Sequence, residues 1–569
     1  MDVVSPRDPV WRRAARVPLD FNGATQRPPV ELPADFAARP LFGLLCAAAA
    51  ANPDALAVVD GSERLTYRDL LARIGRAARR IDAEPPGAVA VLLPGSAMGL
   101  AALLGCLVAR RVVLLLEPRQ PAERIAAILH DARPAAVVGD GGEVGVIPVA
   151  ALVDGRDEPG WTPPDAFAPD EPAVVFFTSG STGRPKGIAT SLWGCLHRAG
   201  VNLQVWRQGA DDRMLNASQA ATHASFCRFL GALCVGSRVV LYGAATEGLG
   251  VLRDRLAAEQ VTILITGPAL MRAVLPLPGF DAAFRSLRVL RCGGAAVLGA
   301  DVAAMRGVLP EACVIDHSYA STEAGIVAAW VVPRDFPDHE PRLPAGYLLP
   351  GQDYLLEDGA GGDAGADGTG ELVLRGRGIA VGEWRDGRCV PGRMPADPAC
   401  PGWRVFRTGD LVRLGDDGLL RFVGRADQQI KINGVRIEPA EIEAVLRRVP
   451  GVTDAAVIAR GGDGRPMLLA YVAIAGGVPG SVPGAAPGTA AGTAPGTAAV
   501  AAGCELPVMR AVLLARLRAE LPAVMQPAHL MLMDALPRLA GGKLDVGLLP
   551  EPGGQGALRR LLGKVTGRG

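Results

Sequence analysis

From Leu41 to about Leu275, short solid apolar runs alternate with longer stretches whose apolar residues recur at helical spacing. The runs GAVAVLLPG (87–95), RRVVLLLEP (110–118), PAAVVGD (134–140), PAVVFFTSG (172–180), SRVVLYG (237–243) and VTILITG (261–267) predict buried strands, being short, apolar and closed by turn-forming residues. Between them, SAMGLAALLGCLVA (96–109) and ERIAAILHDA (123–132) predict helices. Strands alternating with helices pack as parallel sheets covered by helices, so this part reads as layered α/β. From about Gly346 the pattern shortens to GELVLRG (370–376), RVFRTGD (404–410) and GLLRFVG (418–424), which predicts a small β subdomain. Further on, the strand MLLAYVAI (467–474) and the helix LPVMRAVLLARLRAEL (506–521) predict a smaller α+β unit.

Other stretches break the pattern. Residues 1–36, rich in Pro and Arg, read as an extended arm lying on the body. DGAGGDAGADGTG (358–370) has the look of a calcium-binding Gly/Asp repeat, but it lacks the repeated apolar position and reads as a hairpin loop. The Pro/Gly/Ala/Thr segment 476–503 cannot bury a core and reads as an insertion looped out between strand and helix. A short basic tail, 551–569, follows.

At 569 residues the chain is too long for one compact domain, and 49% hydrophobic against 21% charged residues excludes a mainly disordered one. A net charge of +1 gives no global basic excess for nucleic acid or an anionic membrane. No apolar stretch is long enough to span a bilayer, and no secretory leader is evident, so a cytoplasmic location is expected. Ten scattered cysteines without a CxxC pair read as reduced thiols rather than a disulfide frame or zinc site.

Only four of 59 basic residues are lysine: Lys186, Lys431, Lys543 and Lys564. Either drift left them, or a compact, mobile ammonium is needed there. Lys186 closes VVFFTSGSTGRPKG (174–187), where an apolar strand enters a Thr/Ser/Gly loop. Small residues let backbone N–H groups approach a phosphate, and hydroxyls add donors. Taken alone, such a loop is equally an ordinary turn.

It stands in a series. LTYRDL (65–70), TSGSTGRPKG (178–187), SYASTE (318–323), GELVLRGRGIAVG (370–382), RTGDL (407–411), GRADQQIKINGVRIEPAEIE (424–443), LPAVMQP (521–527) and GGKLD (541–545) follow in order. The set resembles the adenylate-forming (ANL) superfamily, and within it the stand-alone adenylation domains of nonribosomal peptide synthetases, over residues 40–547. The resemblance implies a large N-terminal AMP-binding domain (37–426) of layered α/β subdomains plus a small β subdomain. It also implies a small mobile α+β C-terminal domain (427–550) carrying the 476–503 insertion.

The resemblance implies roles as well. Thr178, Ser179, Gly180, Ser181, Thr182, Gly183 and Lys186 would hold the β- and γ-phosphates of ATP, Glu323 would bind Mg²⁺, and Thr322 would touch the α-phosphate. Tyr319 would stack on adenine opposite Gly293, Gly294 and Ala295, with His317 where the family's adenine-reading asparagine usually stands. Asp410 would accept both ribose hydroxyls, with Arg425 beside the ribose or phosphates. Lys543 would reach both the acid carboxylate and the α-phosphate as the catalytic cation. Asp427 would be the hinge, and Lys431 would serve a second, thioester-forming conformation. Joining two anions makes charge screening and in-line positioning the dominant needs.

The acid is constrained by one departure. Amino-acid-activating relatives carry an aspartate that pairs with the α-ammonium, and alignment puts His223 there. A buried ammonium without a carboxylate is costly, so an acid without a free α-amino group is expected. A one-residue shift would instead make His223 an aromatic gate, or it is simply a satisfied pocket wall. Ala224, Cys227, Leu270, Leu290, Cys292, Ser318, Ile326 and Val327 would complete a largely apolar pocket. No carrier domain follows Asp545, so the acceptor is expected to be the phosphopantetheine of a separate carrier protein; the tail with Arg559, Arg560 and Lys564 either touches an acidic carrier or is simply a solvated end. Coenzyme A, as in an acid–CoA ligase, is the alternative acceptor, and a catalytically silent nucleotide-binding partner is a third reading.

Overall fold

The computed structural model describes residues 11–13, 27–28, 30–61, 63–92, 95–140, 146–155, 162–178, 185–218, 221–243, 246–340, 342–358, 368–425, 430–432, 435–437, 439–460, 467–474, 506–537 and 544–552. They form two compact units. One holds the described residues up to 425 except 120–124, and the other holds 120–124 and those from 430 onward.

The first unit contains three sheets. One has eight strands, ordered 388–390, 382–385, 186–191, 172–178, 113–116, 89–92, 136–139 and 146–148. Its strands from 172–178 to 146–148 are parallel, as the alternating pattern predicts. The other edge is antiparallel: β1 (Pro172–Thr178) turns back directly into β2 (Lys186–Ser191), so the Thr/Ser/Gly loop joins two strands of a hairpin. Strand alternation alone does not disclose this turn-back, because the parallel rule needs a crossover helix between strands.

A nine-stranded sheet is ordered 347–348, 325–331, 314–321, 289–292, 263–266, 213–216, 238–241, 56–59 and 64–66. Two helices matter for the site: α1 (Leu192–Trp206), buried except for four half-buried residues, and α2 (His223–Cys234), buried except for Ala224. The helix Ala97–Val108 is apolar all round and is likewise buried over almost its whole length. Gly105 permits this: a Cβ there would lie 2.4 Å from Ala77 Cβ on the Tyr67–Asp82 helix.

The small β subdomain is a five-stranded antiparallel sheet, ordered 12–13, 352–357, 369–376, 404–414 and 420–425. The described part of the N-terminal arm does more than lie on the body. Arg12 and Arg13 pair with Tyr354 and Asp353 as an edge strand, and the Arg375 guanidinium sits 4.7 Å from the Trp11 ring.

The second unit has a two-stranded antiparallel ladder, 430–432 with 435–437, and a three-stranded sheet, 452–460, 467–474 and 529–533, whose last two strands are parallel, with helices Pro439–Arg447 and Leu506–Glu520. Leu446, Val457, Leu468, Leu513 and Leu517 meet in its core. The segment 476–503 lies outside the described residues, as does most of 358–370. No described helix is long and apolar enough to cross a membrane.

Candidate active site

The site residues of the first unit sit at strand ends and in tight turns. On the nine-stranded sheet these are β3 (Val289–Cys292), β4 (Val314–Ser321) and β5 (Gly325–Val331). On the eight-stranded sheet it is β6 (Gly382–Arg385), and on the small sheet β7 (Arg404–Leu414) and β8 (Leu420–Arg425).

Lys186 opens β2, paired in register with Thr178 at the end of β1. Its Nζ lies 2.5 Å from Oε1 of Glu383, a nearly fully buried carboxylate on β6. Burial lowers the Lys186 pKa, while Glu383 and then Glu323 oppose that shift. Glu383 also accepts from Arg385 and, at 3.0 Å, from the Arg393 backbone N–H. Sequence reasoning missed Glu383. Its only signal is the β6 position that pairing sets beside β2, with Glu383 opposite Ile188. Ser179, Gly180, Ser181, Thr182 and Gly183 lie outside the described residues.

Thr322 and Glu323 occupy the β4–β5 turn, where Ser321 Oγ accepts from the Ala324 N–H at 3.0 Å. Glu323 is 3% exposed. Tyr319 on β4 donates its phenol O–H to Oδ2 of Asp410, and Arg425 donates to Oδ1. The pairing of β7 with β8 places Asp410 directly opposite Arg425. Thr408 fixes the strand by donating to Leu372 O at 2.8 Å and accepting from the Asp410 N–H at 3.0 Å. Burial, followed by the Asp410 charge, pushes the Tyr319 phenol well up, so it stays protonated and donates. Both carboxylate oxygens of Asp410 are therefore engaged, one by Tyr319 and one by Arg425.

His317 Nδ1 lies 3.0 Å from Cys292 O, so Nδ1 carries the proton. Gly294 has φ +88°, and Gly293 donates to Thr266 O at 3.2 Å. A side chain on Gly293 would meet Arg291 and the Ser318 carbonyl at 3.0–3.2 Å. Gly293, Gly294 and Ala295 therefore form a tight backbone turn after β3.

The expected acid-pocket residues do not share one face. Cys227 and Ile326 belong to the core that includes Phe176, Leu290 and Cys292 pack into the core of Phe284 and Met305, with Leu270 against it, and Val327 joins a third. Neighbouring strand positions point to opposite sides, so only a subset can line one cavity. Ala224 is half-buried on α2. Ser318 Oγ accepts from Arg291 at 2.7 and 3.1 Å. Beside this pair lie Asp316, which accepts from Trp206 Nε1 at 3.1 Å, and Arg228, 6.0 Å from the Trp206 ring. All four of Arg228, Arg291, Asp316 and Ser318 are buried. Burial drives the guanidinium pKa values down, and the Arg291 charge lowers that of Arg228 further. These two arginines escaped the sequence reading, since their neighbours in space are far away along the chain.

Lys543 and Asp427 lie outside the described residues. The backbone of Lys431 lies in a two-stranded ladder of the second unit, opposite Arg436.

The profile of the AMP-binding enzyme family matches residues 45–384. The chain belongs to the AMP-binding enzyme family. It is 34% identical over 521 residues to a probable non-canonical nonribosomal peptide synthetase, CymA, of Salinispora arenicola, covering 89% of this chain and 6% of that protein. It is 32% identical to an isonitrile lipopeptide synthase of Streptomyces coeruleorubidus, covering 89% of this chain and 33% of that one. The chain thus spans a third or less of these relatives. Among solved structures, holo-PA1221, a nonribosomal peptide synthetase protein with adenylation and PCP domains, superposes with a TM-score of 0.70 at 25% identity. That match covers 90% of this chain and 84% of that one. This AMP-binding enzyme is accordingly an adenylate-forming ligase of the ANL superfamily, and its fold is that of adenylation domains.

Proposed function

We propose that this AMP-binding enzyme condenses a carboxylic acid without a free α-ammonium with ATP and passes the acyl group to the phosphopantetheine thiol of a carrier protein. The observation that carries the acid class is the charge beside Ser318: two buried guanidinia, Arg228 and Arg291, against one carboxylate, Asp316. A substrate ammonium there would meet net positive charge in a low-dielectric site. His223, at the aspartate position, supplies no compensating anion.

The roles of the remaining residues follow the family pattern. Asp410 would take the ribose hydroxyls, exchanging its Tyr319 and Arg425 contacts for them. Lys186 and the 178–183 loop would hold the β- and γ-phosphates. Glu323, a buried carboxylate, is a hard oxygen donor suited to Mg²⁺, which when bound would neutralise phosphate charge. Lys543 would bring acid and α-phosphate together, and Asp427 and Lys431 would serve the later, thiol-accepting conformation. Relatedness to peptide synthetases at 34% and 32% identity favours a carrier thiol over coenzyme A.

The test is acid-dependent pyrophosphate exchange over pairs of α-amino acids and their deaminated, hydroxy and keto analogues, plus aryl and fatty acids. Turnover confined to acids lacking the α-ammonium is expected, and a best substrate with a free α-ammonium would overturn the reading. Offering coenzyme A and a pantetheinylated carrier side by side decides the acceptor.

A further inference from the structure

Cysteine spacing along the chain gives no metal motif, yet the fold gathers three metal-ligating side chains from two helices. Cys195 stands in the first turn of α1, while His223 and Cys227 stand four residues apart on one face of α2. One ligand atom from each lies within 4.8 Å of the other two. Their relative exposures are 0%, 3% and 2%. The helices approach this closely because their facing residues are small. A Cβ on Gly231, one turn past Cys227, would lie 3.3 Å from Ala199 Cβ, one turn past Cys195.

His223 Nε2 is buried without a hydrogen-bond partner. A buried polar nitrogen left unpaired is destabilising, so a ligand for it is favoured. The Phe176 ring, 5.0 Å away, offers it no acceptor or donor.

We propose that Cys195, His223 and Cys227 together bind one Zn²⁺ ion, leaving a fourth position for water or another small donor. Tetrahedral zinc, with Zn–S about 2.3 Å and Zn–N about 2.0–2.1 Å, sets its ligand atoms about 3.4–3.8 Å apart. Two thiolates and a neutral imidazole suit zinc rather than magnesium, which takes oxygen ligands. Binding releases the two thiol protons to solvent, and the two thiolates neutralise the ion. The site does not depend on the identity of the acid or of the acceptor.

The test uses the full, reduced, chelator-stripped chain titrated with Co²⁺ and then Zn²⁺. Expected are saturation at one equivalent, an intense thiolate-to-cobalt absorption with the visible bands of a tetrahedral site, and displacement by Zn²⁺. Cys195→Ala and Cys227→Ala should each weaken Co²⁺ binding by at least about 100-fold, as expected for loss of a direct ligand. Cys313→Ala should leave it unchanged, and circular dichroism checks that each variant folds. X-ray absorption of the unmutated zinc-loaded chain, which needs no variant, should show two sulfur ligands and at least one imidazole. Absence of the thiolate band overturns the proposal, as does its survival in the Cys195→Ala/Cys227→Ala double variant. A Cys195–Cys227 disulfide in the freshly purified chain would do the same.

Discussion

Asp410, proposed to take the ribose hydroxyls, also ties strands together. It links β4 to β7 through Tyr319 and pairs with Arg425 across β7–β8. Hydrogen bonds to a charged group contribute about 1.5–3 kcal/mol, so Asp410→Asn should raise the KM for ATP by about 10–100-fold in pyrophosphate exchange. Lys543→Ala should abolish most adenylate formation while sparing thioester formation from supplied acyl-adenylate, and equal loss in both half-reactions would refute its role. Arg228 invites the opposite kind of experiment. Its Nε has no hydrogen-bond partner, and its buried charge is opposed by burial and by the neighbouring Arg291 guanidinium more than it is supported by Asp316, so removing it relieves desolvation and like-charge repulsion. Arg228→Met is expected to raise the unfolding midpoint in urea yet lower kcat/KM for the best acid. Lys186, Glu323, Tyr319 and Asp410 stand out in the sequence because each lies in a short motif of contiguous residues. Glu383, Arg228 and Arg291 were not, because pairing and packing bring their partners from distant parts of the chain.

At the scale of elements, local chemistry reads directly. Thr66 caps the Tyr67–Asp82 helix: its side chain accepts from the Asp69 N–H at 3.1 Å, and Asp69 Oδ2 accepts from the Thr66 N–H at 3.1 Å. Thr66→Ala should cost about 1 kcal/mol, measured by denaturant unfolding. The strand runs of the first 275 residues and both quoted helices lie where periodicity predicts them. The β1–β2 hairpin and the edge strand at Arg12–Arg13 did not announce themselves. An antiparallel return needs only a few residues of turn, and a two-residue strand carries no periodicity at all.

For the whole molecule, pH offers a probe of how deeply α1 is buried. His197 on α1 stacks against Trp193 with ring centroids 5.0 Å apart, and burial, with Arg198 beside it, lowers its pKa to about 4. The folded chain keeps this ring neutral while the unfolded chain takes a proton below about 6.5. Its contribution is therefore complete above about pH 6.5 and declines as pH falls toward 4, with a slope of at most about 1.4 kcal/mol per pH unit. Subtracting the profile of His197→Gln from that of the unmutated chain isolates it, and a flat difference would exclude the assignment. By itself the sequence determined the layered α/β class, the order of elements and the nucleotide motifs, because these depend on local periodicity and on residues close together along the chain. Only the tertiary structure decided that Glu383 faces Lys186, that two arginines crowd Asp316, and that Cys195 meets His223 and Cys227. Those meetings depend on strand register and helix packing, which bring together residues that no spacing along the chain connects.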